Sequence, residues 1–295
     1  MPTNKEPDPV RRETIDEQYD PEFRAGPRAP FIDWYVRRSA LAREKMDCRL
    51  DIPYGATPPE TLDVFPSSRP GSPVLMFIHG GYWRALSSKE FSFVASGLVP
   101  LGVTVAVMNY ALCPQVTISE ITRQSHAAVV WLMRNAERFS GDPGRIFVAG
   151  HSAGGQQVGM LLSAGETLRA AGGRFLKGGI AISGIFDLRP LQHSWLQPTL
   201  QLTDALCAEQ SPALHIPGRA APLLLSVGGD ESPALIGQTQ SYHAAWTAAG
   251  LDAAHFPQPG VNHYEAVYGL YDPTSLLTGA VMELIRRCAR EPDPS

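Results

Sequence analysis

From about Met46 to the C-terminus, short apolar runs rich in β-branched residues alternate with stretches whose apolar positions recur at helical spacing. This is the pattern of a mostly parallel sheet flanked by helices. Two early runs, DCRLDIPYG and TLDVFP, alternate apolar and polar residues and predict half-exposed antiparallel strands. The later runs VLMFIHG, VTVAVMNY, RIFVAG, KGGIAISG, PLLLSVGG and AAHFPQ are nearly continuous in apolar residues and predict buried strands. Between them, Ile118, Ile121, Ala128, Val129, Leu132, Met133, Ala136 and Phe139 fall on one helical stripe, and SGDPG supplies a stop and turn before the next strand. Further helices are predicted to begin near Ser88, Ser152, Ser232 and Thr274.

Two stretches break the alternation. Residues 1–45 form a polar lead and a predicted helix, FIDWYVRRSALARE, whose Phe31, Trp34, Tyr35 and Leu41 suit an apolar surface. Residues 187–217 interrupt the sheet pattern with mixed, proline-bearing sequence. The expectation is one catalytic domain over 46–295, with both stretches as cover and the 187–217 insertion as the stronger candidate.

Composition narrows the function classes. At 295 residues, 44% hydrophobic and 18% charged, the chain has the make-up of a globular protein with a large core. A net charge of -4 gives no electrostatic reason to expect nucleic acid or an anionic membrane as partner. A small-molecule acyl substrate is expected instead, and a homodimer is left open. The polar, proline-bearing first twenty residues lack the apolar core of a signal peptide, and no apolar run has membrane-spanning length, so a cytoplasmic enzyme is expected. Cys48, Cys113, Cys207 and Cys288 are far apart with no C-x-x-C pair, and are read as reduced thiols.

The chemistry is carried first by Gly150-His151-Ser152-Ala153-Gly154, which follows the strand RIFVAG and opens a predicted helix. Strand, G-x-S-x-G and helix in that order form a nucleophile elbow, the signature of the α/β-hydrolase fold. Glycines flank the serine because the sharp turn leaves no room for side chains, and the hydroxyl of Ser152 then projects above the sheet. Directly after VLMFI stands His79-Gly80-Gly81-Tyr82-Trp83, where that fold keeps its oxyanion loop. Gly81 and Ala153 are the expected amide donors to a developing oxyanion, with Gly80 assisting. His79 is read as structural, since the chain order of the fold is nucleophile, acid, base.

The acid and base are sought in that order. LLLSVGG ends at Asp230, and His263 lies in a loop after AAHFPQ. Asp230 is taken to orient His263, the general base, with adjacent Glu231 as the fallback and Asp187 as the one serious competitor. His126, His193, His215, His243 and His255 fall in helices, the cover or a strand, and His151 is expected to diverge from the nucleophile beside it. No phosphate loop, dinucleotide fingerprint or H-E-x-x-H is present, so neither cofactor nor metal is expected.

HGGYW at 79–83, GHSAGG at 150–155, SGIFDLRPL at 183–191 and LQLTDALCAEQSPAL at 200–214 together resemble the arylformamidase (kynurenine formamidase) group of α/β-hydrolases, near the hormone-sensitive-lipase-like esterases. The resemblance spans most of the chain from Met46. It implies Ser152, Asp230 and His263 as the triad, with Tyr82 and Trp83 bordering the substrate pocket. It implies an arylformamidase acting on an N-formylkynurenine-like compound; a short-chain carboxylesterase or carbamate hydrolase uses the same machinery, and a dead hydrolase serving as a binding module is the remote alternative. Arg84 and Arg189 are read as solvated charges in preference to anchors for a substrate carboxylate.

Overall fold

The computed structural model describes residues 9–165 and 176–288. Residues 1–8, part of the expected N-terminal cover, lie outside the described residues. Eight strands form one sheet: β1 (Arg49–Pro53), β2 (Thr61–Phe65), β3 (Ser72–Ile78), β4 (Thr104–Met108), β5 (Gly141–His151), β6 (Gly178–Ile182), β7 (Leu223–Gly228) and β8 (Ala253–Gln258). Their spatial order is β1-β2-β4-β3-β5-β6-β7-β8. The pairs β1/β2 and β2/β4 are antiparallel, and β4 to β8 run parallel through β3. The predicted strands and the two antiparallel leaders are thus all present, but β2 is buried where half-exposure was expected, and β8, at the sheet edge, is partly exposed where burial was expected.

Among the described residues six longer helices cover the faces: α1 (Pro9–Tyr19), α2 (Ala29–Lys45), α3 (Ile118–Asn135), α4 (Ala153–Ser163), α5 (Pro233–Ala248) and α6 (Leu276–Cys288). The pleat of β3 sends Val74, Met76 and Ile78 into one core with the apolar faces of α3, α4 and α5. Its alternate residues Leu75 and Phe77 enter the opposite core with α2 and α6. Burial on both faces explains why these strands read as continuous apolar runs. All eight residues of the predicted α3 stripe are buried, the last two in a 3₁₀ turn over Ala136–Phe139. No described helix is long and apolar enough to cross a membrane.

Two local expectations change. SGDPG is not a free turn: Gly141 already pairs with Ser72, and the regular ladder resumes only at Ile146 opposite Val74. Asp142 bridges the irregularity by accepting the Gly144 N–H at 2.8 Å. The segment after Ser88 is a single 3₁₀ turn, Ser88–Glu90, followed by a short helix, Val94–Leu98.

The register fixes where chemistry can occur. Ile78 pairs with Gly150, His151 with Ile182, and Ile182 with Ser226. The parallel strands therefore end at one level, and the loops after β3, β5, β6, β7 and β8 leave the same edge of the sheet.

Leu75 is fully buried in the α2/α6 core. Leu75→Ala is expected to lower the unfolding free energy by about 2–5 kcal/mol in urea titrations. Leu276→Ala, at a side chain 81% exposed, is expected to stay within about 0.5 kcal/mol of the parent.

Candidate active site

Ser152 stands between the end of β5 and the first residue of α4, with φ 57° and ψ -116°. This strained conformation is held from both sides. The Ser152 N–H donates to the Ile182 carbonyl at 2.8 Å, and the Ser152 carbonyl accepts from Gln156 at 3.2 Å. The glycines give the space that sequence reasoning assigned to them. A Cβ on Gly154 would lie 2.0 Å from the Ile78 carbonyl oxygen, and one on Gly150 would lie 2.2 Å from that of Gly154.

The Ser152 hydroxyl donates to His263 Nε2 at 3.1 Å. His263 Nδ1 in turn donates to a carboxylate at 2.7 Å, and that carboxylate belongs to Glu231, not Asp230. Asp230 is exposed, with its backbone N–H donating to the Val261 carbonyl at 3.0 Å. The reason is the close crossing of two loops. A Cβ on Gly228 would lie 2.3 Å from the Val261 carbonyl oxygen, so the end of β7 is pressed against the loop that carries His263. That turn sends residue 230 outward and residue 231 inward. Asp187 is no alternative, because it pairs with Arg189 at 2.6 Å, and Arg189 is the solvated charge expected of it.

Glu231 is only 3% exposed and well supplied with donors. Its Oε1 accepts the Gly228 N–H at 2.8 Å and the Ser183 hydroxyl at 2.5 Å, leaving Oε2 for His263. Burial pushes its carboxyl up, but the charge and hydrogen bond of His263, with the Ser183 and Gly228 bonds, outweigh burial and hold it below the usual carboxylate range.

The His263 loop is held by more than Glu231. Tyr35 donates its hydroxyl to the Tyr264 carbonyl at 2.6 Å, and Asn262 Oδ1 accepts the N–H groups of Tyr264 and Glu265 at 3.0 and 3.1 Å. His151, expected to diverge, instead donates from Nε2 to the His263 carbonyl at 2.9 Å. It ties the elbow to the loop of the base. Sequence reasoning missed this role, which depends on a carbonyl 112 positions away.

The loop after β3, expected to hold the oxyanion, bends sharply: Gly81, Tyr82 and Trp83 have φ values of 114°, 50° and 56°. A Cβ on Gly81 would lie 2.1 Å from the Ala85 carbonyl oxygen. A Cβ on Gly80 would meet the His151 carbonyl at 3.0 Å and Ser152 Cβ at 3.1 Å, so this glycine lets the loop touch the elbow. His79 is structural as expected. It donates from Nδ1 to the Gly80 carbonyl at 2.7 Å, and its ring stacks 4.1 Å from Tyr110. Ala153 opens α4, so its backbone N–H has no partner within the helix.

A cavity of about 240 Å³ reaches Ser152 and His263. Tyr82 lines it, with its hydroxyl donating to the Tyr19 carbonyl. Trp83 does not. It is fully buried behind the loop and donates from Nε1 to Gln156 at 3.1 Å, a packing and bracing role. The cover is apportioned differently from expectation. The 187–217 insertion lends the cavity only Trp195, whereas the N-terminal segment lends Asp20, Pro21, Glu22, Arg28, Ile32 and Tyr35. That segment is stitched down by Ser232 Oγ on the Gln18 carbonyl (2.5 Å), Gln238 on the Tyr19 hydroxyl (3.1 Å) and the Trp195 N–H on Asp16 (2.7 Å).

Comparison with known proteins gives the family of the chain. Residues 75–265 match the model of a family described by the alpha/beta hydrolase fold. The kynurenine formamidase of Danio rerio is 29% identical over 251 residues, which cover 83% of this chain and 84% of the relative. The crystal structure of a candidate thioesterase from Silicibacter sp. TM1040 is 30% identical, with a TM-score of 0.81 over 91% of this chain and 98% of that one. An esterase of Pyrobaculum calidifontis shares the fold at 19% identity, with a TM-score of 0.68 over 96% of this chain and 97% of that one.

The two buried histidines beside the loop and the elbow give a pH prediction. Burial pushes His79 down to about 4 and His151 to about 3. Each binds a proton more readily when unfolded, so each contributes full stability above the unfolded value near 6.5, and that stability falls with pH below it. Between pH 7 and pH 5 the unfolding free energy is expected to drop by about 2 kcal/mol per histidine. Denaturant titrations at the two pH values, with the parent beside His151→Asn, isolate the share of His151 as the difference in slope.

Proposed function

The chain belongs to the α/β-hydrolase family, and from that premise we propose that it is a serine hydrolase that cleaves a small aryl formamide through an acyl-enzyme intermediate. The observation that carries the mechanism is the continuous hydrogen-bonded line from Ser152 through His263 to Glu231 on the wall of the cavity. The substrate class rests on the named activity of the Danio rerio relative, which matches over most of both chains.

In this mechanism Ser152 Oγ attacks the acyl carbon as its proton passes to His263 Nε2. Glu231 keeps the proton of the neutral imidazole on Nδ1, so Nε2 is free to accept, and it stabilises the imidazolium that forms. Negative charge on the former carbonyl oxygen is taken by the backbone N–H groups of Gly81 and Ala153, with Gly80 giving the loop its close approach. The imidazolium then protonates the departing aniline nitrogen. Water, deprotonated by the same histidine, releases the acyl group from Ser152. A cavity of about 240 Å³ suits a compact substrate with one aromatic ring.

A short-chain carboxylesterase is the second reading, favoured by the esterase among the structural relatives. The machinery is common to both reactions, so substrate comparison decides. The formamidase reading expects kcat/KM for N-formylkynurenine to exceed that for 4-nitrophenyl acetate by orders of magnitude; turnover of the ester alone makes the protein an esterase.

Ser152→Ala is expected to lower kcat by at least about 10³-fold on any substrate, and Glu231→Gln by roughly 10²- to 10⁴-fold. Asp230→Asn is expected to stay within about twofold of the parent, because its side chain is exposed. Equal losses in Glu231→Gln and Asp230→Asn would overturn the assignment of the acid.

A further inference from the structure

Arg84 lies one residue past the oxyanion loop and lines the same cavity as Ser152. Its backbone N–H donates to the Gly81 carbonyl at 3.0 Å, so its Cα is fixed relative to the loop. Its guanidinium lies over the Trp195 ring, 4.8 Å from the centroid. Trp195 is itself braced, through its backbone on Asp16 and edge-on against Tyr82 at 5.9 Å. Among the described residues Arg84 forms no ion pair. The cavity's other guanidinium, on Arg28, is committed to Glu22 at 3.5 Å.

A half-buried arginine held over an indole and lacking a carboxylate partner is a preorganised fork for a planar anion. The remaining charges on the wall limit what that anion can bring with it. Asp20 and Glu22 line the cavity as well, and Asp20 gives one oxygen to the Glu22 N–H at 3.0 Å. A substrate with several negative charges would be repelled there. One carboxylate accompanied by an ammonium matches both signs.

We propose that Arg84 binds the carboxylate of an amino-acid arm carried by the leaving group of the substrate, with Asp20 facing its ammonium. The proposal rests on the acyl-hydrolase reading above and makes Arg84 a specificity-determining residue, remote from bond cleavage. It replaces the solvated-charge reading that the sequence suggested for this position.

The test compares two substrate pairs, each with and without the arm. The formamide pair is N-formylkynurenine against N-(2-acetylphenyl)formamide; the ester pair is O-acetyl-L-tyrosine against phenyl acetate. kcat and KM are measured for the parent, Arg84→Gln and Arg84→Lys, with unfolding midpoints to verify the fold. The parent is expected to prefer the arm-bearing member. Arg84→Gln is expected to lower kcat/KM for that member by roughly tenfold to a hundredfold, mainly through KM, and to leave the truncated member within about threefold. Arg84→Lys is expected to restore part of the preference. Equal losses for both members of a pair, or no loss for either, overturn the anchor, as does a parent with no preference in either pair. If the parent cleaves no formamide yet shows an Arg84-dependent preference in the ester pair, the anchor stands and the formamidase reading falls. If both formamides are cleaved equally well and the ester pair shows no preference either, that reading stands and the anchor falls.

Discussion

The structure turns on how closely backbones approach one another around Ser152. The serine occupies a conformation with φ 57°, and three chains must pass within contact distance for it to stay there. α4 abuts the end of β3 at Gly154, β5 meets α4 at Gly150, and Gly155 lies against Gly184 just after β6. None of these approaches tolerates a Cβ without displacement. The elbow is therefore a product of sheet register as much as of its own sequence: it exists because β3, β5 and β6 end at one level. The same register brings the oxyanion loop beside the serine and lets Ser183 reach the acid.

A second consequence of this packing is that the polar line is completely enclosed. Glu231, His263 and Ser152 are at most 5% exposed, in a setting where an unpaired charge would be costly. The fold meets that requirement by giving each polar atom of the acid a partner and by fixing the base through its own backbone. His151 and Tyr35 act on the carbonyls of His263 and Tyr264, so the loop is held by its main chain while the imidazole is reserved for the serine and glutamate. Burial keeps His151 uncharged, and a neutral ring in that position adds no competing cation beside the base.

Much of this was legible in the sequence, because strands, elbow and the glycine loop after β3 are written in local patterns. Continuous apolar runs marked the doubly buried strands, and Gly-x-Ser-x-Gly after a strand marked Ser152. His263 followed from its place after the last strand. What failed were properties decided by contact between distant segments. Asp230 and Glu231 are neighbours with the same chemistry, and only the crossing of the β7 turn over Val261 decides which faces inward. Spacing alone offered no signal for that choice. Trp83 was expected at the pocket on the strength of the family resemblance, but the left-handed bend at Tyr82 and Trp83 turns it into the core, where Gln156 receives it. The N-terminal contribution to the cavity was underestimated for a similar reason. Asp20, Glu22 and Arg28 lie in a polar stretch with no periodicity, and their relevance comes from what they are pinned to.

The stitching of that stretch also bears on how the protein comes into being. Residues 16–20 are made before the groups that hold them, at Tyr82, Trp195, Ser232 and Gln238, and before His263. The first wall of the cavity must wait for most of the chain to be translated before it has anything to attach to. A nascent chain therefore carries its serine long before it has an enclosed pocket or a base. The cavity is closed only when residues 16–20 meet the segments around Trp195, Ser232 and Gln238.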